Sequence, residues 1–172
     1  MTPQEAKVVA DFLAADIEYE MQATLAVLGA VPDERSAYQP DPKSKTGLGL
    51  CRHLALEDPW LLNSVADGAF ATPPPDDSDA CGIMSAADAV ERYKKDVPAA
   101  LKRVRAMSGE ELLKIIDLMG MIQLPAVNML SMFGKHTVHH RGQLSAYLRA
   151  AGSKVPAIYG PSADTAMAAA HA

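Results

Sequence analysis

Three of the chain's five histidines lie within five residues, at His136, His139 and His140. Side chains four residues apart share one face of an α-helix, so His136 and His140 can offer two imidazoles to one cation. Apolar residues continue that face at helical spacing, which predicts that the pair points toward a core. A buried polar group without a partner costs about 1–3 kcal/mol. A divalent metal would satisfy both imidazoles, and hydrogen bonds to neighbours or water, as in an ordinary core histidine, are the alternative.

A third ligand must come from another part of the chain, because catalytic zinc sites usually combine three protein ligands with one open position. His53 and His171 are the remaining histidines, and His171 lies one residue from the C-terminus in an alanine-rich segment. His53 is the better candidate, since apolar residues at helical spacing surround it. Glu57 follows one helical turn later and can serve as a fourth ligand or as a carboxylate that orients a ligand.

Proline, glycine and capping residues predict four long helices that would position these side chains, at 3–28, 46–67, 85–107 and 125–151. Gly29 is expected to cap the first helix, and Pro59 to kink or break the second. Gly134 and Gly142, inside the last helix, predict close approach of another backbone. The buried side of the first helix is predicted from a near-fourfold repeat: Val9, Leu13, Ile17, Met21, Leu25 and Leu28.

The connecting segments have different predicted roles. Residues 30–46 are expected to form an ordered crossing loop near the site, and residues 71–82 a second loop. In residues 109–125, a helical turn near Glu110 should be followed by extended backbone from Ile116 to Met119. Residues 153–162 are expected to fold back over the helices. Trp60, the single tryptophan, is interpreted as a core or interface residue.

Two segments resemble a known family. The run HTVHHRGQLSAYLRAAGSKVPAIYG at 136–160 is similar to the C-terminal signature of the DinB/YfiT-like metalloproteins, and AYQPDPKSKTGLGLCRHLA at 37–55 resembles the stretch that leads into their first metal histidine. The resemblance implies an all-α fold, an up-and-down antiparallel four-helix bundle over residues 1–162, with a disordered tail at 163–172. It also implies a divalent ion, nickel or zinc, bound by His53, His136 and His140. His139 would not be a primary ligand.

Members similar to this family include S-transferases and isomerases that use low-molecular-weight thiols, and metal-dependent hydrolases. The resemblance therefore implies an S-transferase or hydrolase that acts on a small molecule, with a low-molecular-weight thiol as a possible cosubstrate. No glutamate stands between His136 and His140, so the zinc-protease arrangement is absent, and Glu57 or a substrate group would act as the base. Gln143 can orient an imidazole or a water, or simply pack. The alternative is a non-catalytic stress-related or binding protein whose metal is structural.

Composition and charge exclude several classes of function. The net charge is −5, from 16 basic and 21 acidic residues, and scattered basic residues argue against a nucleic-acid partner. The N-terminus lacks the features of a signal peptide, and no window reaches the roughly 18–20 apolar residues of a membrane helix. A cytoplasmic location follows, in which Cys51 and Cys81 stay unpaired. The resemblance and the alanine- and methionine-rich composition also make a homodimer plausible.

Overall fold

The first turns of the helices are fixed by side chains that cap free backbone N–H groups. In the computed structural model, which describes residues 1–165, the hydroxyls of Thr2, Thr46 and Ser85 each accept a backbone N–H at the start of a long helix. Ser85 and Asp88 form the reciprocal capping box that the sequence predicts. The long helices are α1 (Pro3–Gly29), α2 (Gly47–Asp67), α3 (Ala86–Arg105) and α5 (Ala126–Ala150), and α4 is a single turn (Gly109–Leu112).

Each long helix begins and ends within two residues of its predicted bounds, but α1 is not capped as expected. Gly68 closes α2 in the left-handed conformation, at φ 69°. Gly29 is still helical, and Ala30 caps α1 in a right-handed conformation, so the prediction of Gly29 as the cap was wrong. α2 runs unbroken through Pro59, which keeps His53 and the residues after the proline on one helix.

The four long helices pack in a ring of contacts: α1 against α3 and α5, and α2 against the same two helices. The buried side of α1 begins with small residues, Ala6, Ala10 and Ala14, whereas Val9 is 36 % exposed. The predicted stripe through Val9 was therefore wrong over the first half of the helix. The N-terminal end of α1 also lies close to α4, because a Cβ added to Gly109 would lie 2.1 Å from the Pro3 carbonyl oxygen.

A β-hairpin interrupts the otherwise helical chain between α4 and α5. β1 (Ile115–Leu118) pairs antiparallel with β2 (Ile122–Pro125), and Ile115 lies opposite Pro125. The predicted helical turn and extended segment are confirmed as α4 and β1, but the sequence did not predict β2, so the fold is mostly helical and not purely α. Met119 and Gly120 both have positive φ, 54° and 76°, as a tight hairpin turn requires.

Two further expectations concern α5 and the segment that follows it. Within residues 1–165, no heavy atom lies within 4 Å of a Cβ added to Gly142, and Gly134 faces the Ile17 side chain at 3.6 Å, so the predicted approach of a second backbone was wrong. Tyr159 brings residues 153–162 back onto the helices, because its hydroxyl donates to Glu20 at 2.9 Å. Most of the predicted tail, 166–172, lies outside the described residues, and so does His171. Among the helices of residues 1–165, none combines the length and apolarity needed to cross a membrane.

Candidate metal centre

The three histidines that the sequence singled out lie together between α2 and α5. The Nε2 atoms of His53 and His136 are 3.1 Å apart. The His140 ring centroid lies 4.4 Å from that of His53 and 4.5 Å from that of His136. One nitrogen from each ring belongs to a group of atoms that all lie within 4.8 Å of one another, close enough to hold one ion. His139 is exposed and lies outside this group, although its ring contacts that of His140.

His53 is held from behind by a loop carboxylate. Its Nδ1 lies 2.5 Å from Oδ2 of Asp76, and Lys45 donates to the same oxygen at 2.8 Å. Burial opposes the charge on Asp76, but the hydrogen bonds from Lys45 and His53 lower the pKa of this carboxyl. An ionised carboxylate only accepts hydrogen bonds, so Nδ1 of His53 carries the proton and Nε2 is left with its lone pair.

His136 has a similar support inside the core. Its Nδ1 lies 3.2 Å from Oδ1 of Asp58, a carboxylate that is 4 % exposed. Oδ2 of Asp58 accepts hydrogen bonds from the Tyr93 and Thr137 hydroxyls, both at 2.9 Å. Burial raises the pKa of Tyr93 well above its usual value, so the phenol stays protonated and keeps its donor. The core thus fixes both the orientation and the tautomer of His136.

His140 takes its support from its own helix. Its Nδ1 lies 2.7 Å from Oε1 of Gln143, one turn further along α5. This contact is the imidazole-orienting arrangement that the sequence suggested for Gln143, whose part in catalysis stays a prediction. An amide oxygen accepts the Nδ1 proton, and Nε2 of His140 is therefore also unprotonated.

The hydrogen bonds at the Nδ1 atoms of the three histidines determine what the cluster can bind. They turn the Nδ1 atoms of the three rings outward and leave the Nε2 atoms facing inward, and two of these atoms, in His53 and His136, lie only 3.1 Å apart. Two lone pairs facing each other repel, and a proton or a cation between them removes the repulsion. Imidazole nitrogens are ligands of zinc, nickel and related divalent ions, so the donor set fits such a metal.

The protonation preferences of the cluster agree with this geometry. Burial, followed by the proximity of His136, lowers the pKa of His140 to about 4. Burial also lowers the pKa of His53, although its hydrogen bond to Asp76 acts in the opposite direction. Both rings are therefore neutral at pH 7, which is the form that binds a metal.

Glu57 lies at the edge of the same cluster. One carboxylate oxygen of Glu57 falls in a second group of possible ligand atoms, with His53 and Asp76, within 4.8 Å of one another. Burial, and then the neighbouring Asp76 carboxylate, raises the pKa of Glu57. A half-buried carboxyl with a raised pKa beside such a cluster is suited to hold or release a proton. Its role as a fourth ligand or as a base stays a prediction.

Asp58, Asp76 and Lys45 also belong to the site but were not predicted from the sequence. Asp58 had a signal, because it falls on the apolar face of α2 between Leu54 and Leu61, where an acid needs a partner. Asp76 and Lys45 lie in connecting segments whose position relative to α2 depends on the whole fold, and no local pattern marks them. Cys51 precedes His53 by two residues but is fully buried and lies outside the cluster, and both cysteines are free, as predicted.

Comparisons with known proteins agree with the fold. The sequence profile of the DinB family matches residues 8–169. The uncharacterized protein YrdA of Bacillus subtilis strain 168 is 29 % identical over 147 residues, which are 86 % of each chain. A DinB-like protein of Bacillus cereus ATCC 10987 has a structure that superposes with a TM-score of 0.71 at 24 % identity, covering 86 % of this chain and 95 % of that one. The DinB-like protein YjoA of Bacillus subtilis gives 0.67 at 16 % identity, with 87 % and 99 % covered.

Proposed function

This chain belongs to the DinB family, and on that premise we propose that it binds one divalent metal and acts as a metal-dependent enzyme on a small molecule. The metal ligands would be the Nε2 atoms of His53, His136 and His140. Nickel or zinc is the proposed ion. The reaction would be S-transfer, with a low-molecular-weight thiol as cosubstrate, or hydrolysis.

One observation carries the metal proposal: the Nε2 atoms of His53 and His136 lie 3.1 Å apart, while a carboxylate faces the Nδ1 atom of each ring and favours the proton there. An ordinary pair of core histidines would place a donor opposite an acceptor. Holding two acceptors together is unfavourable unless a cation binds between them. The buried Asp58 and the Asp76–Lys45 pair keep the rings in this state before any ion arrives.

Three protein ligands leave open positions, which favours catalysis over a purely structural role. A divalent ion bound there supplies charge that acidifies a water or a thiol and polarises a substrate atom. Glu57, at the rim, is proposed to accept the proton that is released, since a raised pKa makes its carboxylate a stronger base. Asp58 and Asp76 would position the imidazoles of His136 and His53, and Gln143 would position that of His140 or orient a water.

Turnover by metal-loaded protein tests the enzymatic part of the proposal. We expect saturable thiol transfer or hydrolysis after loading with zinc or nickel, and none in the metal-free protein. Glu57→Gln should lower turnover while the metal content stays unchanged, and Glu91→Gln, an exposed control, should change neither. If loaded protein were inactive over a broad substrate panel, and X-ray absorption placed four protein ligands on the ion, the non-catalytic alternative with a structural metal would replace this proposal.

The arrangement of the helices and the oligomeric state are proposed together with this function. We propose that α1, α2, α3 and α5 form the up-and-down antiparallel bundle that the resemblance implies; their ring of pairwise contacts supports it. The protein is also proposed to act as a homodimer without nucleic acid or membrane. Light scattering at micromolar concentration would test the dimer directly, and a monomeric mass would refute it.

A further inference from the structure

A chamber of about 350 Å³ opens beside His136, between α2, α5 and the turn of the hairpin. Its volume equals that of about 12 molecules of liquid water, which is space for a group of roughly ten heavy atoms. It lies at the small end of the range for ligand pockets, roughly 300–1,000 Å³. Three elements supply its apolar wall: Trp60 and Leu61 on α2, Met132 and Phe133 on α5, and Met119 and Met121 at the hairpin turn.

The polarity of the chamber is uneven. His136 and Glu57 are its ionisable side chains, and both belong to the candidate metal centre, so the polar end of the chamber is continuous with that centre. The remaining wall is aliphatic, aromatic or thioether. A ligand whose polar atom lies at His136 would therefore place its other end against apolar groups.

The hairpin turn presents its methionines in an unusual way. Met119 has φ 54°, a left-handed conformation that glycine or asparagine adopts with less strain. Met119 and Met121 are also 56 % and 73 % exposed, although each lines the chamber. Methionine is flexible and polarisable, which suits a wall that must adapt to an apolar ligand.

We infer that the chamber binds the alkyl or aryl group of the substrate and so restricts the enzyme to substrates with an uncharged apolar part of up to about ten heavy atoms. The reacting atom would lie at the His136 and Glu57 end. This inference rests on the proposed function, because a substrate is assumed. The binding of the apolar group itself does not require the metal.

Methionine methyl resonances can test the inference on the full-length, metal-free protein. The chain has nine methionines, and ¹³C-methyl labelling reports on each one. We would titrate with straight-chain alcohols from 1-butanol to 1-heptanol, which carry no charge. The methyl signals of Met119, Met121 and Met132 should shift saturably, whereas that of Met84, 58 % exposed and outside the chamber, should not. Each added methylene should tighten Kd about fourfold, which corresponds to about 0.8 kcal/mol.

A matched pair of variants tests the position of the site. Met119→Asp places a charge in the chamber wall, and aspartate tolerates the left-handed turn; it should weaken 1-heptanol binding by about tenfold or more. Met84→Asp makes the same change at a methionine of equal exposure elsewhere and should leave Kd unchanged.

The inference would be overturned if no methyl signal shifted saturably, if the Met84 signal shifted equally, or if Met119→Asp bound 1-heptanol as tightly as the parent does. Shifts that follow the protein concentration and not the alcohol would also overturn it, since a second copy would then occupy the chamber. Metal uptake, measured after a portion of the same sample is reloaded with zinc or nickel, separates the two proposals. Metal uptake without alcohol binding refutes the chamber alone, and alcohol binding without metal uptake refutes the proposed function alone.

Discussion

Replacing Asp58 by asparagine should weaken metal binding without changing any proposed ligand. The carboxylate accepts from the Tyr93 and Thr137 hydroxyls through one oxygen and faces Nδ1 of His136 through the other. Asparagine keeps one acceptor oxygen, and its NH2 group only donates. If the oxygen stays with the two hydroxyls, the NH2 group meets Nδ1 of His136. That ring must then move its proton to Nε2, where the lone pair for the metal would be lost.

The size of the effect follows from this change of tautomer. Removing a partner that orients a histidine ligand typically weakens metal affinity 10- to 100-fold, or about 1.4–2.7 kcal/mol. The metal-free protein should also lose about 1 kcal/mol of unfolding free energy, because the neutral amide oxygen of asparagine accepts the two buried hydroxyls more weakly than a carboxylate does. Competition of zinc between the protein and a chromophoric chelator gives the affinity, and urea unfolding gives the stability.

Asp67→Asn is the matched control, since Asp67 lies on the same helix and its 56 % exposed side chain pairs with Arg103 at the surface. Its zinc affinity should equal that of the parent, and its stability should change by less than about 1 kcal/mol. The reasoning would be refuted if Asp58→Asn lost stability but bound zinc as tightly as the parent. Asp58 would then be a core residue with no influence on the centre.

Three further predictions concern other groups. At pH 8 a thiol reagent should modify Cys81 and spare Cys51 until the protein unfolds. Burial raises the pKa of Cys51 to about 12, so little of the reactive thiolate forms at pH 8. Rapid labelling of both cysteines in the native protein would contradict this prediction. Asp76→Asn should weaken zinc binding about tenfold or more in the chelator assay, because Nδ1 of His53 loses its anionic acceptor. An unchanged zinc affinity would show that Asp76 does not support the metal ligand. Arg141→Met should lose about 3–5 kcal/mol in urea unfolding, because Arg141 is 1 % exposed and the Glu20 carboxylate would lose its cationic partner. Arg149→Met, which breaks the surface pair with Asp164, should lower the free energy of unfolding by less than about 1 kcal/mol. Equal losses in the two variants would show that the buried pair stabilises the fold no more than the surface pair does.

The parts of the fold that could be predicted from the sequence are those determined locally. The capping box of Ser85 with Asp88 and the left-handed Gly68 depend on neighbouring residues, and both helix ends were predicted correctly. The local sequence does not decide which face of α1 is buried, because the adjacent residues Val9 and Ala10 both start a fourfold repeat. Hydrophobicity favours Val9, whereas the close packing of α1 requires alanine. The second strand was missed because the hairpin turns at Met119 and not at the Asn-Gly that marks such turns.

The candidate site also contains residues that the sequence predicted and residues whose position depends on the whole fold. Spacing within α5 predicted that His136 and His140 share a face. His53 was chosen among the remaining histidines by its apolar surroundings, in agreement with the resemblance, and the structure brings all three together. The side chains that fix their tautomers come from the interior of α2 and from a proline-rich loop, at sequence separations of 78 for Asp58 to His136 and 23 for Asp76 to His53. Such pairings are set by how the helices pack and by where the loop crosses. A single sequence contains no local signal for them.

The metal content of the purified, untagged protein tests the central claim most directly. After reloading with zinc or nickel, elemental analysis should find about one divalent ion per chain in the parent. His53→Ala and His136→Ala should lose most of it, whereas His139→Ala, an exposed histidine in the same run, should keep it. A metal-free parent, or an equal loss in His139→Ala, would contradict the claim that the inward-facing Nε2 atoms form the metal centre.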